Sequence, residues 1–154
     1  MSHHTVSEGI VISPIKNGTV IDHITHGEGF TVIRILGIRN SIMNVTVASN
    51  VMSSRGGRKD IVKIENRELL KSEVDKVALV APDATISIIR DFKVTDKKNV
   101  DVPKDVVGVI KCPNPNCITN TNEPVPSHFV EHPRGFRCVY CDAVISKDMV
   151  GQYI

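Results

Sequence analysis

The stretches CPNPNC (residues 112–117) and CVYC (residues 138–141) hold all four cysteines of this 154-residue chain. Two close pairs can direct four thiolates at one tetrahedral metal ion, whereas a redox-active motif needs only one pair. The prolines and asparagines of the first stretch form turns, which suits a loop folded around an ion. Because four thiolates leave no open coordination position, the pattern predicts a structural Zn²⁺. The predicted ligands are Cys112, Cys117, Cys138 and Cys141.

The alternatives to this metal site are weaker. Two disulfides would need an oxidising compartment, and the N-terminal sequence MSHHTVSEGI lacks the charged and apolar regions of a signal peptide. His128 and His132 could replace two of the ligands, but four cysteines already complete a tetrahedral set. We therefore predict that both histidines lie in surface loops. We expect a cytoplasmic protein, because thiols stay reduced in that compartment.

The composition is that of an ordinary globular protein, with 41% hydrophobic and 23% charged residues. A formal net charge of +2 gives no support for a strongly basic surface that would track nucleic acid. No apolar run approaches the roughly 20 residues that a membrane-spanning helix needs. We therefore expect neither a nucleic-acid partner nor a membrane partner.

The first hundred residues alternate between strand and helix patterns in the order β-α-β-β-α-β. Ser72 and Asp75 fit a capping signature for the second helix, and Pro82 would end it. This order predicts a ferredoxin-like (split βαβ) domain, with two helices on one face of an antiparallel sheet. The predicted strands are EGIVISPI (8–15), SIMNVTVAS (41–49) and RKDIVKIE (58–65), and ATISIIRDFKV (84–94) adds one or two strands. The predicted helices lie in GEGFTVIRILGI (27–38) and SEVDKVALVAP (72–82).

A polar stretch, VTDKKNVDVPKD (residues 94–105), separates this pattern from the cysteine-containing part and is typical of a linker. It predicts two domains, residues 1–102 and residues 103–154. The second is too short to bury much core, so a metal ion would stabilise it as a small β-rich zinc ribbon. The predicted fold class is therefore α+β.

The N-terminal part also carries a weak signal for an anion site. Lys59, Ile61 and Lys63 alternate onto one face of a predicted strand, and Lys97 follows near the end of the domain. These lysines suit either a solvated charged face or a phosphate pocket. The chain has neither a phosphate-binding glycine motif nor a convincing catalytic constellation, so we expect no enzymatic activity of its own.

Five stretches carry a resemblance to a known family. The chain resembles the regulatory chain of aspartate carbamoyltransferase in NGTVIDHI (17–24), GRKDIVKIEN (57–66), ALVAPDATI (78–86), CPNPNCITN (112–120) and CVYC (138–141). The resemblance implies a non-catalytic subunit whose N-terminal domain pairs with its copy and binds nucleotides, CTP or UTP as inhibitors and ATP as activator. It also implies that the zinc domain docks on a catalytic chain, in an assembly of two catalytic trimers and three regulatory dimers.

The resemblance further implies a nucleotide site. Backbone groups of Ser13 and Ile15 would read the base, and Asp22 and His23 would lie near the ribose and phosphates. Ser87 and Phe92 stand where members of the family have Asn and Tyr, which bears on the choice of base. The full predicted set is Ser13, Ile15, Asp22, His23, Ile61, Lys63, Ser87, Ile89, Phe92, Val94 and Lys97.

A zinc-ribbon accessory protein that binds nucleic acid is the alternative function. The cysteine-containing part mixes basic residues with acidic ones, which does not resemble a surface that follows phosphates. It also holds more apolar residues than so small a ribbon readily buries, which favours a protein contact surface. These residues are Phe129, Phe136, Val139, Tyr140, Val144 and Ile145.

Overall fold

The described part of the chain divides into two units. The computed structural model covers residues 5–7, 10–12, 14–38, 42–123 and 125–154, and for the first two ranges it describes the backbone. Contacts divide the chain into Met1–Asp101, called the N-terminal unit, and Val102–Ile154, called the C-terminal unit. Within the described residues, no helix has the length and apolar character to cross a bilayer.

Runs of Ile, Val and Thr form strands in the N-terminal unit, because β-branched side chains pack well on a pleated surface. Gly37 follows the first helix with a left-handed φ of 68°, and Pro82 prevents the second from continuing. In chain order the elements are β1 (Thr5–Ser7), β2 (Ile10–Ile12), β3 (Gly18–Thr25), α1 (Gly29–Ile35), β4 (Val45–Met52), β5 (Arg58–Glu65), α2 (Lys71–Val80), β6 (Thr85–Arg90) and β7 (Lys93–Asn99).

Among the described residues of this unit, five strands form one sheet in the order β4-β5-β3-β6-β7, here called the large sheet. Every neighbouring pair is antiparallel. Each helix connects two strands that are not neighbours, which is the split βαβ arrangement. The predicted α+β class with a ferredoxin-like domain is confirmed. β7 adds a strand at one edge, and β1 pairs with β2 in a separate hairpin.

One face of the large sheet carries the core of the N-terminal unit. Alternation along β5 directs Val62 and Ile64 to this face, and both have 0% exposure. Ile21 of β3 pairs with Val62 and is equally buried. The two helices contact each other, and α1 contacts β5. Val32 and Val77 contribute buried side chains from the helices, each worth about 1.5–3 kcal/mol in transfer free energy.

Three predictions in the N-terminal unit are wrong. The predicted first strand of the sheet, residues 8–15, does not join the large sheet where the structure describes it, because β2 (Ile10–Ile12) pairs with β1. β3 (Gly18–Thr25) takes its place in the β-α-β-β-α-β order. The predicted cap, Ser72, lies inside α2, whose N-cap is Leu70. The Glu73 carboxylate accepts a hydrogen bond of 3.0 Å from the backbone N–H of Leu70, so it satisfies one free donor of the first turn. The predicted linker, residues 94–105, begins inside β7. All residues of this edge strand are exposed, so its sequence is polar on both faces like that of a linker.

Short strands build the C-terminal unit, which confirms the predicted small β-rich domain. Phe129, Phe136 and Ile145 are buried, so these three apolar residues form a core rather than a contact surface. Tyr140 is 49% exposed. The strands pair in the order β11-β10-β9-β8. In chain order the elements are β8 (Asp105–Val107), a 3₁₀ helix (Ile118–Asn120), β9 (His128–His132), β10 (Gly135–Cys138), β11 (Val144–Ser146) and a 3₁₀ helix (Val150–Tyr153).

Asp60 is a charged residue on the core side of β5 with 0% exposure. Its Oδ2 accepts hydrogen bonds from the backbone N–H groups of Gly29 at 2.9 Å and Gly27 at 3.2 Å. Its Oδ1 accepts from the backbone N–H of Asn50 at 2.8 Å and the hydroxyl of Ser49 at 3.2 Å. One carboxylate therefore joins the start of α1 to the outer strand β4.

We expect Asp60→Ala to lower the free energy of unfolding of the N-terminal unit by about 2–4 kcal/mol, because each buried donor left without an acceptor costs about 1–3 kcal/mol. Far-ultraviolet circular dichroism during urea unfolding of the full chain reports this unit, since both described α-helices belong to it. The fluorescence of Tyr140 and Tyr153 reports the C-terminal unit, and the urea midpoint measured by this signal should not change. Asp83→Ala removes an exposed carboxylate and is the control; equal unfolding midpoints for the two variants would contradict this role.

Candidate functional site

Four sulfur atoms converge in the C-terminal unit. The Sγ atoms of Cys112, Cys117, Cys138 and Cys141 all lie within 4.8 Å of one another. The Cys112–Cys141 pair is 3.5 Å apart and the Cys117–Cys138 pair 3.8 Å apart. A tetrahedral ion with metal–sulfur bonds of about 2.3 Å requires sulfur–sulfur distances of about 3.8 Å. The donor set and its spacing therefore fit a tetrahedral thiolate site.

Hydrogen-bonded turns hold both cysteine pairs in place. The Nδ2 of Asn120 donates to the carbonyl oxygens of Cys112 at 2.9 Å and Asn114 at 2.7 Å, which fixes the first loop. The second pair follows β10, where Asp142 has a left-handed φ of 64°. The backbone N–H of Asp142 donates to the carbonyl oxygen of Cys138 at 3.0 Å. Each turn thus presents its sulfur atoms to the same point.

The thiols of the cluster differ in acidity. Burial raises the pKa of Cys112 to about 12 and also raises the pKa of Cys138. Hydrogen bonds from the hydroxyl and backbone of Thr119 lower the pKa of Cys117 to about 7, and that hydroxyl oxygen lies 3.3 Å from the Cys117 sulfur. A cation at the centre deprotonates coordinating thiols outright. The cluster therefore needs a cation to hold four thiolates in so buried a place.

The two histidines considered as alternative ligands lie on β9, not in the surface loops predicted for them. The Nε2 of His128 is 2.9 Å from Oδ1 of Asp105. The Nδ1 of His132 accepts a hydrogen bond of 3.1 Å from the backbone N–H of Arg134. Across the described ranges, the group of converging ligand atoms consists of the four cysteines and includes neither histidine.

Most residues predicted for the nucleotide site share the face of the large sheet opposite the core, here called the lysine face. Alternation along β5 directs Ile61 and Lys63 to it. Lys63 pairs with Val20 of β3, which pairs on its other side with Ser87. Ser87 pairs in turn with Lys97 of β7. The predicted residues that the structure brings onto this face are Asp22, Ile61, Lys63, Ser87, Ile89, Val94 and Lys97.

Asp22 and His23 lie in a β-bulge, where the register of β3 against β5 shifts between Ile21 and Ile24. His23 has a left-handed φ of 55°, and its backbone N–H donates to Oδ1 of Asp22 at 2.6 Å. The ring Nδ1 lies 3.4 Å from the hydroxyl of Thr85. On a regular strand adjacent side chains point to opposite faces. The bulge re-aims them, so both can contribute to one site.

Cations surround the carboxylate of Asp22. The Nζ of Lys59 lies 2.9 Å from Oδ1 of Asp22. Burial lowers the pKa of Lys63, and the charge of Asp22 opposes this shift. Burial also lowers the pKa of His23, against the opposing charge of Asp22. Three further cations lower the pKa of His23 by their charge: Lys59, Arg55 and Lys97. This concentration of positive charge suits a ligand with several negative charges.

The other end of β3 offers apolar surface. Gly18 pairs with Ile89, whose partner on β7 is Val94. Ile89 is buried, whereas Val94 is 43% exposed. Phe92 lies in the turn between β6 and β7 with a φ of 63° and is 42% exposed. A bulky residue rarely adopts this left-handed conformation. The turn therefore presents an aromatic ring beside the lysine face.

Two residues were predicted to contact a base through backbone groups. The side chain of Ile15 is 6% exposed, which leaves its backbone for such a contact. The next residue, Lys16, accepts a hydrogen bond of 2.9 Å at its carbonyl oxygen from the backbone N–H of Phe92. This segment therefore lies beside the aromatic turn. Ser13 lies outside the described residues.

The predicted set omits two cations of this surface. Lys59 shares the lysine face with Lys63, and the same two-residue period along RKDIVKIE could have added it to the site. Arg55 lies in the turn between β4 and β5, where the sequence has no period to interpret. Its charge acts on His23 only because the folded sheet brings this turn close to β3.

Comparisons with known proteins cover nearly the whole chain. Residues 10–101 match the family described as aspartate carbamoyltransferase regulatory chain, allosteric domain, and residues 104–151 match its metal binding domain. A regulatory chain of Methanocorpusculum labreanum is 76% identical over 151 residues, which is 97% of each chain. That of Methanosphaerula palustris is 58% identical over 155 residues and the full length of both. That of Methanothermobacter thermautotrophicus is 52% identical over 142 residues, 90% of this chain and 91% of the relative.

A ferredoxin-like unit joined to a four-cysteine unit defines the class, which is a two-domain protein with a candidate metal centre. The chain belongs to the family of aspartate carbamoyltransferase regulatory chains. It is therefore a non-catalytic subunit of an enzyme of pyrimidine biosynthesis, and the predicted resemblance is confirmed. The four cysteines fall within the matched metal binding domain, which indicates a bound metal ion.

We expect Cys138→Ser, or treatment with a strong chelator, to unfold the C-terminal unit, because its small core cannot replace the metal–thiolate bonds. Tyrosine fluorescence and protease sensitivity should change, while the circular dichroism of the helices in the N-terminal unit stays the same. Metal content, measured by mass spectrometry, should fall from about one ion per chain to none.

His128→Ala and His132→Ala are the matched controls, since both lie on β9 near the cluster in sequence. Each should keep its metal ion and its protease resistance. A Cys138→Ser chain that retains a full equivalent of metal, or a histidine variant that loses it, would show that the ligand set is different.

Proposed function

We propose that this chain binds nucleoside triphosphates on the lysine face and so adjusts the activity of aspartate carbamoyltransferase catalytic chains. CTP and UTP inhibit in this proposal, and ATP activates. Residues 1–102 form the allosteric domain, and residues 103–154 dock on the catalytic chain. The observation that carries the proposal is the division along β3: cations gather at its end and apolar surface lies at its start. A nucleotide has the same division between phosphates and base.

The phosphates contact lysines and the histidine. Lys63 is 9% exposed, so its ammonium group has lost much of its water and gains from a new anionic partner. A charge-assisted hydrogen bond of this kind contributes about 1.5–3 kcal/mol. Lys97 is exposed on the same face and can follow a phosphate chain. His23 gains a proton when a phosphate binds beside it, because the anion offsets the effects that lower its pKa.

The ribose and base occupy the rest of the lysine face. Asp22 accepts hydrogen bonds from ribose hydroxyls, and Lys59 already holds its carboxylate in place at 2.9 Å. Ile89, Phe92 and Val94 form the wall around the base at the start of β3. Ile61, which was predicted for this wall, lies instead on β5 beside the bulge and packs against Val51. The hydroxyl of Ser87 and the backbone groups of Ser13 and Ile15 contact the base edge. Ser87 has a short side chain, so it reaches less far than an amide would and discriminates less strongly between bases.

The metal is Zn²⁺ in this proposal, one structural ion per chain. Thiolates are soft ligands, and four of them in a tetrahedral arrangement are typical of structural zinc. Sulfur–sulfur distances of 3.5 and 3.8 Å support this choice. A zinc ion would contribute about 10–16 kcal/mol of apparent binding energy to the folding of this short segment.

Family membership supports the assembly in this proposal. The chain pairs with its own copy, and three such dimers join two trimers of catalytic chains, in the cytoplasm. Each nucleotide must bind the less active and more active assemblies with different affinity, since equal affinity shifts no equilibrium. A coupling free energy of about 1–3 kcal/mol is typical of such systems.

The exposed Tyr140, beside the metal ligands, is a candidate for the contact with the catalytic chain.

We expect Lys63→Met to raise the dissociation constants of CTP, UTP and ATP by about 10- to 100-fold, because the variant keeps the buried stem and loses one charge-assisted hydrogen bond. Isothermal titration calorimetry on the full chain measures this change. Lys71→Met is the control, since Lys71 is exposed on α2 and pairs with Asp75.

The same two variants should be assembled with catalytic chains and assayed with each nucleotide. The unsubstituted chain and Lys71→Met should respond to CTP or UTP by losing activity and to ATP by gaining it. Lys63→Met should assemble but respond weakly. An unsubstituted chain that binds none of the three nucleotides would refute the proposed function.

Nucleotide affinity should also depend on the charge of His23. Its pKa lies below 6.5 in the free chain and rises when a phosphate binds, so binding takes up a proton between the two pKa values. The nucleotide affinity should be greatest at a pH below the pKa of His23 in the free chain. It should fall as the pH rises through the pKa of His23 in the nucleotide complex. Calorimetry in buffers of different ionisation enthalpy measures the proton uptake.

The nucleotide phosphate titrates in the same range, so His23→Asn is the necessary comparison. Asparagine tolerates the positive φ at this position. The variant should lose the proton uptake by His23 and keep the proton uptake or release by the nucleotide phosphate. Identical uptake in both chains would exclude His23 from the phosphate contact.

A further inference from the structure

The lysine face has cationic and apolar ends, and β3 runs from one end to the other. The apolar residues Ile89 and Val94 lie beside Gly18 at the start of the strand, and the cations lie near Asp22. At about 3.3 Å per residue, the four steps from Gly18 to Asp22 span about 13 Å. A nucleotide on this face therefore extends with its base near the start of β3 and its phosphates toward the end.

The turn between β4 and β5, residues 53–57, lies beyond that end. Thr25, the last residue of β3, pairs with Lys59, so the turn projects past the strand. Two hydrogen bonds of 3.0 Å close it, from Ser53 N–H to the Gly57 carbonyl and from Gly56 N–H to the Ser53 carbonyl. Both glycines have positive φ. The turn therefore has a defined conformation in the path of a long phosphate chain.

Arg55 lies at the tip of this turn. Its side chain is exposed, and within the described ranges it has no carboxylate partner. Its positive charge nevertheless lowers the pKa of His23, which lies in the β3 bulge. The neighbouring Arg58 alternates to the other face of β5, away from Lys59. Arg55 is thus available to the lysine face, and Arg58, the first residue of β5, is the matched control.

We propose that Arg55 contacts the terminal phosphate of a bound nucleoside triphosphate, so that the β4–β5 turn selects for the number of phosphates. This inference rests on the proposed function, because it needs a nucleotide on the lysine face. A monophosphate reaches the cations around Asp22 but not the turn, whereas a triphosphate extends further in the same direction. The guanidinium group suits this role, because its planar donors match phosphate oxygens.

The test compares three chain lengths of phosphate on one base. The dissociation constants of CTP, CDP and CMP, and of ATP, ADP and AMP, are measured by calorimetry for the full chain at fixed ionic strength. Arg55→Ala should weaken triphosphate binding about tenfold and change monophosphate binding by less than about twofold. Arg55→Lys, which keeps the charge, should recover part of this loss, and Arg58→Ala should leave both constants unchanged.

The outcomes separate this inference from the proposed function. In one outcome, the unsubstituted chain binds nucleotides while Arg55→Ala keeps the same ratio of triphosphate to monophosphate dissociation constants. That result would overturn the role of Arg55 and leave the proposed function intact. Equal weakening of triphosphates and monophosphates would also overturn it, since a general field effect does not depend on phosphate number. No binding of any nucleotide by the unsubstituted chain would overturn both.

A second measurement tests the position of Arg55 without any ligand. The pKa of His23 can be followed by nuclear magnetic resonance in the free chain, where Asp22 raises it and Lys59, Arg55 and Lys97 lower it. Arg55→Ala removes one of the lowering charges, so the pKa of His23 should rise, whereas Arg58→Ala should have a smaller effect. An unchanged His23 pKa in Arg55→Ala would place the arginine too far from the phosphate path and overturn the inference.

Discussion

The alternation of side chains along β5 is the constraint on which the N-terminal unit depends. Val62 and Ile64 are fully buried on one face, while Lys63, between them in sequence, belongs to the other. A shift of one residue in the pairing would turn the lysines toward the core of the unit and the aliphatic residues away from it, at a large cost in free energy. Asp60 reinforces the correct register, because its buried carboxylate binds the start of α1 and the outer strand together. The same strand therefore determines which side chains form the core and which form the lysine face.

The C-terminal unit depends on a different constraint. Its strands contain three to five residues, and a sheet of this size buries too little apolar surface to be stable alone. Four converging thiols supply a site for a cation, and the ion would replace the missing core. A unit held in this way folds cooperatively with its metal.

Much of this fold can be predicted from short-range patterns. The two-residue period in RKDIVKIE (residues 58–65) and the β-α-β-β-α-β order lead to the observed sheet. The predictions that are wrong involve ambiguous local signals. Ser72 and Glu73 are adjacent and both suit a helix start, and the choice depends on which backbone N–H needs an acceptor. β7 has a sequence like that of a linker, because every residue of this edge strand is exposed and neither face requires apolar side chains.

The order of residues is enough to derive the fold class, both helices, the two faces of β5, the close pairing of the cysteines and the membership of the family. It is not enough to show which charged residues lie close together in the folded unit. The backbone N–H of His23 reaches Oδ1 of Asp22 because β3 has a bulge at this point. The charge of Arg55 affects His23 because a turn between two strands lies beyond the end of a third. Bulges and turns have no period. Their geometry depends on hydrogen bonds between strands that are distant in sequence, and such pairings form only when the whole sheet folds.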